Sequence, residues 1–129
     1  MTEIPVKVVD ASALGALIFA ESEAEGVARE LSDSRLVAPS LIQYELASIC
    51  LKKIRSYPSK ANQLIMAFEM ADRLSIETFP VNHVEVIEIA KRTHLTTYDS
   101  CYLWLAHKTN AKLVTLDKRL KKAMVKDLG

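Results

Sequence analysis

Four acidic residues carry the most informative chemistry in this sequence: Asp10, Glu45, Asp99 and Asp117. Asp10 and Asp117 each follow a short run of β-branched and aliphatic residues, and Asp99 stands at the start of an apolar helical pattern. Glu45 is a charge among apolar neighbours on a segment with helical spacing. Taken singly, Asp10 is explained equally well as a helix cap, capping is a sufficient explanation of Asp99, and a solvated surface charge is the simpler explanation of Glu45. A shared site requires that the surrounding elements bring them together.

The predicted strands and helices alternate along the chain. Strand signals fall at residues 6–9, 35–38, 75–79 and 111–116, and prolines close the second and third of these runs. Helical periodicity covers residues 11–19, 21–31, 40–54, 60–74, 82–92 and 100–107. The alternation predicts right-handed βαβ units, and therefore one α/β domain over residues 1–129, a three-layer α/β/α sandwich with a central parallel sheet.

Parallel strands all end at the same edge of their sheet, and ligands bind at that edge in open α/β folds. The four acidic residues follow strands or lie early on helices, so we expect them to meet there. Carboxylates that lie close together repel one another unless cations neutralise them. Because no histidine or cysteine cluster accompanies them, the oxygen donors favour Mg²⁺ or Mn²⁺ over zinc. One or two such ions would activate a water for attack on a phosphodiester.

The overall charge argues against a protein that binds nucleic acid through a strongly basic surface. The chain has 17 Lys and Arg residues against 16 Asp and Glu residues, a formal charge of +1, so any nucleic-acid site must be local. A basic segment near the carboxyl end is either the solvated face of a helix or a phosphate-binding patch. It contains Lys118, Arg119, Lys121, Lys122 and Lys126.

The other potential metal ligands have no spacing suited to a metal site. Cys50 and Cys101 fall in apolar helical patterns, which predicts buried free thiols in a reducing compartment, with a disulfide as the alternative. His83, His94 and His107 are expected to be surface or core residues. No apolar window approaches the length of a membrane span and no signal-peptide pattern opens the chain, so we expect a cytoplasmic protein.

Four short motifs in order resemble those of the PIN domain family, in particular the toxin ribonucleases of the VapC type. The first is Val8-Val9-Asp10-Ala11-Ser12, and the second is Ala38-Pro39-Ser40 followed by Tyr44-Glu45-Leu46-Ala47. The third is Tyr98-Asp99 with Tyr102-Leu103 and Leu105-Ala106, and the fourth is Val114-Thr115-Leu116-Asp117-Lys118-Arg119-Leu120. Each motif is short, but four in this order, over essentially the whole chain, are specific.

The resemblance implies a parallel α/β/α fold and metal-dependent RNA cleavage. By the same resemblance, the Mg²⁺ or Mn²⁺ ligands would be Asp10, Glu45, Asp99 and Asp117, with Ser12 and Thr115 as hydrogen-bonding supports. It also implies a homodimer and inhibition by a cognate antitoxin, with residues 40–74 as the expected contact surface. Arg119 stands where some relatives have an acidic residue, which weakens the expectation of a second metal ion. Ser100-Cys101 and Trp104 also depart from the third motif, a difference that concerns helix packing.

Several functions remain open from the sequence. The first is an endoribonuclease that is the toxin of a VapBC-type toxin–antitoxin pair. Alternatives are a solitary PIN nuclease in RNA processing and a non-catalytic PIN-like module that binds RNA or protein, although the complete acidic set favours an enzyme. A phosphotransfer protein of the receiver or haloacid-dehalogenase kind also places an aspartate after its first strand. The chain lacks the paired aspartates that such chemistry requires after this strand.

Overall fold

The computed structural model describes residues 3–127. Its strands are β1 (Val6–Val9), β2 (Arg35–Pro39), β3 (Ile76–Phe79) and β4 (Lys112–Val114). Its helices are α1 (Ala11–Ile18), α2 (Ala24–Leu31), α3 (Ile42–Ser56), α4 (Ala61–Met70), α5 (His83–Thr93), α6 (Thr97–Thr109) and α7 (Lys118–Asp127). Single 3₁₀ turns at Pro58–Lys60 and Ala71–Arg73 flank α4. Within the described residues, no helix is long and apolar enough to cross a membrane.

The strands form one parallel sheet in the order β3-β2-β1-β4. In the interior strand β1, Val8 pairs with Val37 of β2 on one side and with Leu113 of β4 on the other. Val8 and its neighbour Val9 are fully buried, because a parallel strand covered by helices on both faces needs apolar side chains on both. The predicted α/β sandwich with a central parallel sheet is confirmed.

Helices cover both faces of the sheet. From β1 through β2 to β3 the chain steps across the sheet in one direction, and from β3 to β4 it steps back past β1. Right-handed crossovers then place α1–α4 on one face and α5 and α6 on the other. The packing agrees, since α1 contacts α2 and α3, whereas α5 packs on α6. The direction reverses between β1 and β4, which is where open α/β sheets bind their ligands.

The second strand extends one residue further than its sequence predicts. Pro39 is the last paired residue of β2, opposite Phe79, although a proline is expected to end a strand. It is tolerated because β1 pairs with β2 only as far as Val37. The bond to β3 that follows is made by the N–H of Ser40, which donates to the carbonyl of Phe79 at 2.9 Å.

Helix boundaries differ from the predictions by a few residues. The helix predicted from residue 21 begins at Ala24, and the one predicted from residue 40 begins at Ile42. The helix predicted over residues 60–74 ends at Met70 and passes into a 3₁₀ turn. Local signals mark where helices occur more sharply than where they end.

Candidate active site

Asp10 lies at the carboxyl end of β1 and is 5% exposed. Its N–H donates to the carbonyl of Val114 in β4 at 3.1 Å, and its Oδ1 accepts the N–H of Ala13 at 3.0 Å as the N-cap of α1. Capping is therefore part of its geometry. Its second oxygen, Oδ2, accepts a hydrogen bond from the hydroxyl of Thr115 at 2.5 Å, so the carboxylate is held from two sides.

Two hydroxyl groups fix Asp10 and connect it to the chain after β4. Ser12 donates to Asp10 Oδ1 at 2.8 Å and accepts the N–H of Leu116 at 3.0 Å. Thr115, which donates to the other oxygen, accepts the N–H of Asp117 at 3.0 Å. The two hydroxyl oxygens are 3.3 Å apart. Each hydroxyl thus satisfies both a carboxylate oxygen and a backbone donor.

Strand β4 ends at Val114, because the N–H groups of Leu116 and Asp117 donate to these two hydroxyls instead of to a neighbouring strand. The prediction of a strand through residue 116 that leads directly into Asp117 is therefore wrong. Asp117 instead caps α7, where its Oδ1 accepts the N–H groups of Arg119 at 2.8 Å and Leu120 at 3.1 Å. Both capping bonds use one carboxylate oxygen, which leaves the other for a ligand.

Glu45 lies in the first turn of α3 and is half-buried. The hydroxyl of Tyr102 on α6 donates to its Oε1 at 2.5 Å. Tyr102 is 1% exposed, and burial and the Glu45 charge raise the pKa of its phenol, which keeps it protonated as a donor. From the sequence, Tyr102 is only part of a motif; the available signal was that a tyrosine in a buried helix needs a partner for its hydroxyl.

Asp99 lies in the first turn of α6 but does not cap it. The cap is Thr96, whose hydroxyl accepts the N–H of Asp99 at 3.1 Å. The alternative that Asp99 is only a helix cap is therefore wrong. A negative charge is favoured in the first turn by the helix dipole, so the position suits the carboxylate while leaving it able to bind a ligand.

The four predicted carboxylates line one cleft of about 720 Å³. It lies at the carboxyl edge of the sheet, between α1, α3 and α6 and beside the start of α7. Its apolar and aromatic lining consists of Ala11, Leu41, Tyr44, Ile49, Tyr98 and Tyr102. A cavity of similar size, about 780 Å³, lies between α2, α6, β4 and α7, but among the described residues that line it Glu30 is the one acid. The acidic chemistry therefore belongs to the first cleft.

Burial and mutual repulsion perturb three of these acids. Burial raises the pKa of Asp10, and the charge of Asp117 raises it further, against hydrogen bonds that lower it. Burial likewise raises the pKa of Glu45, with a contribution from Asp99 and Asp10. The pKa of Asp99 is raised by burial and then by Asp117. The cleft thus concentrates negative charge that a cation would stabilise.

The donor chemistry of the cleft fits a hard divalent cation such as Mg²⁺ or Mn²⁺, because the charged groups lining it are carboxylates. Within residues 3–127, however, no three acidic, histidine or cysteine side chains converge closely enough to hold a metal ion by themselves. An ion in this cleft would need water or phosphate oxygens among its ligands, as Mg²⁺ commonly keeps. That all four carboxylates are metal ligands stays a prediction.

The residues of the predicted basic patch do not all face the acidic cleft. All five members of the patch, Lys118, Arg119, Lys121, Lys122 and Lys126, are exposed on α7. Arg119 lies near enough to the cleft that its charge partly offsets the rise in the pKa of Asp99 caused by burial and Asp117. Lys121 instead lines the second cavity, so the patch as a whole does not face the acids.

None of the two cysteines and three histidines lines the acidic cleft. Cys50 and Cys101 are buried free thiols, as predicted. Burial, with the charges of the nearby acids, raises the pKa of Cys101 to about 11, so its thiol remains protonated. His83 and His94 are exposed and His107 is half-buried, and none of the three lines the acidic cleft.

Comparisons with known proteins agree with the fold. A family model described as PIN domain matches residues 7–126. Ribonuclease VapC3 of Pyrobaculum aerophilum is 31% identical over 118 residues, which cover 88% of this chain and 90% of that protein.

Two solved structures share the fold. PAE2754 from Pyrobaculum aerophilum matches with a TM-score of 0.76 and 23% identity, over 95% of this chain and 87% of that one. Mycobacterium tuberculosis VapC20, described as a sarcin-ricin loop cleaving toxin, matches with a TM-score of 0.65 and 12% identity, over 91% and 94%. Since the family model spans most of its length, the chain belongs to the PIN domain family.

Proposed function

We propose that this protein is a Mg²⁺- or Mn²⁺-dependent endoribonuclease. The observation that carries the proposal is that Asp10, Glu45, Asp99 and Asp117 line one cleft where the sheet reverses direction. A cleft lined by four carboxylates, with no cationic side chain among its described lining residues, is suited to a divalent ion. The similarity to Ribonuclease VapC3 supports the same chemistry.

In this proposal different hydrogen bonds hold three of the carboxylates, those of Asp10, Glu45 and Asp117. Ser12 and Thr115 bond to both oxygens of Asp10, and Tyr102 bonds to Glu45. Asp117 uses one oxygen to cap α7 and keeps the other for the ion. Hydrogen bonds of this kind orient metal ligands and tune their basicity. When bound, the ion would lower the pKa of a water for attack on the phosphorus and stabilise the charge that develops there.

The basic residues of α7 would attract the RNA backbone. Lys118, Arg119, Lys121 and Lys122 are exposed, and Arg119 is close enough to the acids that its charge acts on Asp99. Contacts of this type are electrostatic, so RNA binding through them should weaken as salt rises.

The biological role that we propose is the toxin of a VapBC-type pair, acting in the cytoplasm. VapC20, a structural neighbour, is described as a toxin. We propose that the protein forms a homodimer and binds a cognate antitoxin through the hairpin of α3 and α4. Exposed apolar side chains on this hairpin offer the contact area: Leu51, Ile65, Met66 and Met70. Light scattering of the purified protein, alone and after co-expression with a candidate antitoxin, tests both contacts.

The nuclease activity is tested by incubating the purified protein with structured RNAs and either ion. Asp99→Asn preserves the size of the side chain and removes one carboxylate, and Asp33→Asn, in the exposed turn before β2, makes the same change away from the cleft and is its matched control. We expect cleavage that stops on chelation and falls on the order of 100-fold or more in Asp99→Asn, with Asp33→Asn unchanged. Cleavage that survives chelation or Asp99→Asn would contradict the proposal.

A further inference from the structure

Two large aromatic side chains lie open to solvent on the walls of the acidic cleft. Tyr44 of α3 is 79% exposed and Tyr98 of α6 is 65% exposed, and both line the cleft. Each directly precedes one of the acids, Glu45 or Asp99. Folding does not account for them, because a ring this exposed contributes little of the apolar burial for which aromatic residues stabilise a core.

Tyr98 also stands between the acidic cleft and an apolar groove. The groove, of about 490 Å³, shares Leu41 and Tyr98 with the cleft and continues along Phe79, Pro80 and Ile87. An RNA strand with one phosphate at the acids would therefore have aromatic and apolar protein surface beside that phosphate, within the same depression. A flat, largely apolar nucleobase is the part of RNA that such a surface suits.

The negative charge of the cleft favours recognition of RNA through its bases. Carboxylates repel phosphates, so apart from a bound ion the cleft itself offers RNA no electrostatic attraction, and the exposed lysines of α7 do not line it. Aromatic side chains bind nucleobases by stacking, with little dependence on base identity. Only unpaired bases can expose their faces to such side chains.

We propose that Tyr44 and Tyr98 stack on unpaired bases next to the phosphate bound in the acidic cleft. The inference rests on the proposed nuclease function and adds to it the residues that recognise the bases beside the cleaved bond. The two rings come from different helices, α3 and α6, and both line the cleft that contains the acids.

The test separates binding from cleavage by using the full chain with Asp99→Asn as the parent. Tyr44→Leu and Tyr98→Leu are compared with Tyr57→Leu, since Tyr57 is 59% exposed but lines a separate pocket with Lys53 and Lys60. The probes are a short mixed-sequence oligoribonucleotide and the same strand annealed to its complement. A fluorescent base analogue, whose emission falls when it stacks, is placed at the centre of the strand.

We expect each leucine variant to weaken single-strand binding by about 5-fold or more, the effect of losing one base–aromatic stack. Quenching of the base analogue should be lost as well, while duplex binding and Tyr57→Leu stay unchanged. Tyr44→Phe and Tyr98→Phe keep the ring and should bind as the parent does, which separates loss of stacking from a general loss of structure.

Unchanged single-strand binding in both leucine variants would overturn the stacking proposal, as would an equal loss on single strand and duplex. Failure of the nuclease proposal is distinguished by the wild-type protein, which would then cleave no RNA with either ion. A wild-type protein that cleaves RNA, with tyrosine variants that bind unpaired RNA normally, refutes the stacking alone.

Discussion

Replacing Thr115 by valine should destabilise the protein although it hardly changes the shape of the side chain. Thr115 is 3% exposed, so packing is kept and the hydroxyl is lost. That hydroxyl donates to Asp10 at 2.5 Å and accepts the N–H of Asp117 at 3.0 Å. A hydrogen bond to a charged group contributes about 1.5–3 kcal/mol and a neutral one about 0.5–1.5 kcal/mol, so the expected loss in the free energy of unfolding is ~2–4 kcal/mol.

Thr115→Ser is the matched control, because it keeps the hydroxyl and removes one buried methyl group, which contributes ~1 kcal/mol. Urea unfolding of the metal-free proteins at neutral pH measures both losses from the midpoint and the slope. The valine variant should unfold at the lower urea concentration. A valine variant as stable as the serine variant, or more stable, would refute the role given to the hydroxyl.

Three further predictions follow from other contacts. Tyr102→Phe removes the donor to Glu45 and should lower Mn²⁺ affinity by about tenfold in calorimetry; unchanged affinity would contradict this. Burial and Asp117 raise the pKa of Asp99, so its contribution to stability is present at low pH and lost as pH rises through that raised pKa. Metal-free Asp99→Asn should therefore gain stability relative to the wild type as pH rises above about 4, measured by urea midpoints, and a constant difference would argue against it. Ala20 has φ 51° and is exposed, so Ala20→Gly should raise the free energy of unfolding by up to ~1 kcal/mol, and a lower melting temperature would show otherwise.

The fold was predictable because strand and helix signals alternate cleanly. The run from Val6 to Val9 and its counterparts identify the strands, and their alternation with helices requires a parallel sheet. The strand order β3-β2-β1-β4 was not predictable in the same way, since pairing depends on contacts between residues far apart in sequence. The end of β4 was predicted wrongly because side-chain hydroxyls, which local propensity does not describe, take over its last donors.

The positions of the acids were predictable from topology, but their local roles were not. Thr96 and Asp99 have comparable preferences for the cap of α6. Their spacing of three residues is that of a capping box, in which the first residue is the cap, and this signal identifies Thr96. The bond from Tyr102 to Glu45 joins residues 57 positions apart, and no local pattern contains that information.

The order in which the chain is synthesised bears on when this cleft exists. The hydrogen bond from Thr115 to Asp10 joins residues 105 positions apart, and β4 docks beside the strand that is made first. During translation, Asp10 leaves the ribosome long before its partner Thr115 and before Asp117 has been made. An interrupted translation product that stops before β4 therefore lacks one carboxylate and the group that orients another. Under the proposed function, the ribosome would make this nuclease without exposing its own RNA to a complete cleft until the last strand is in place.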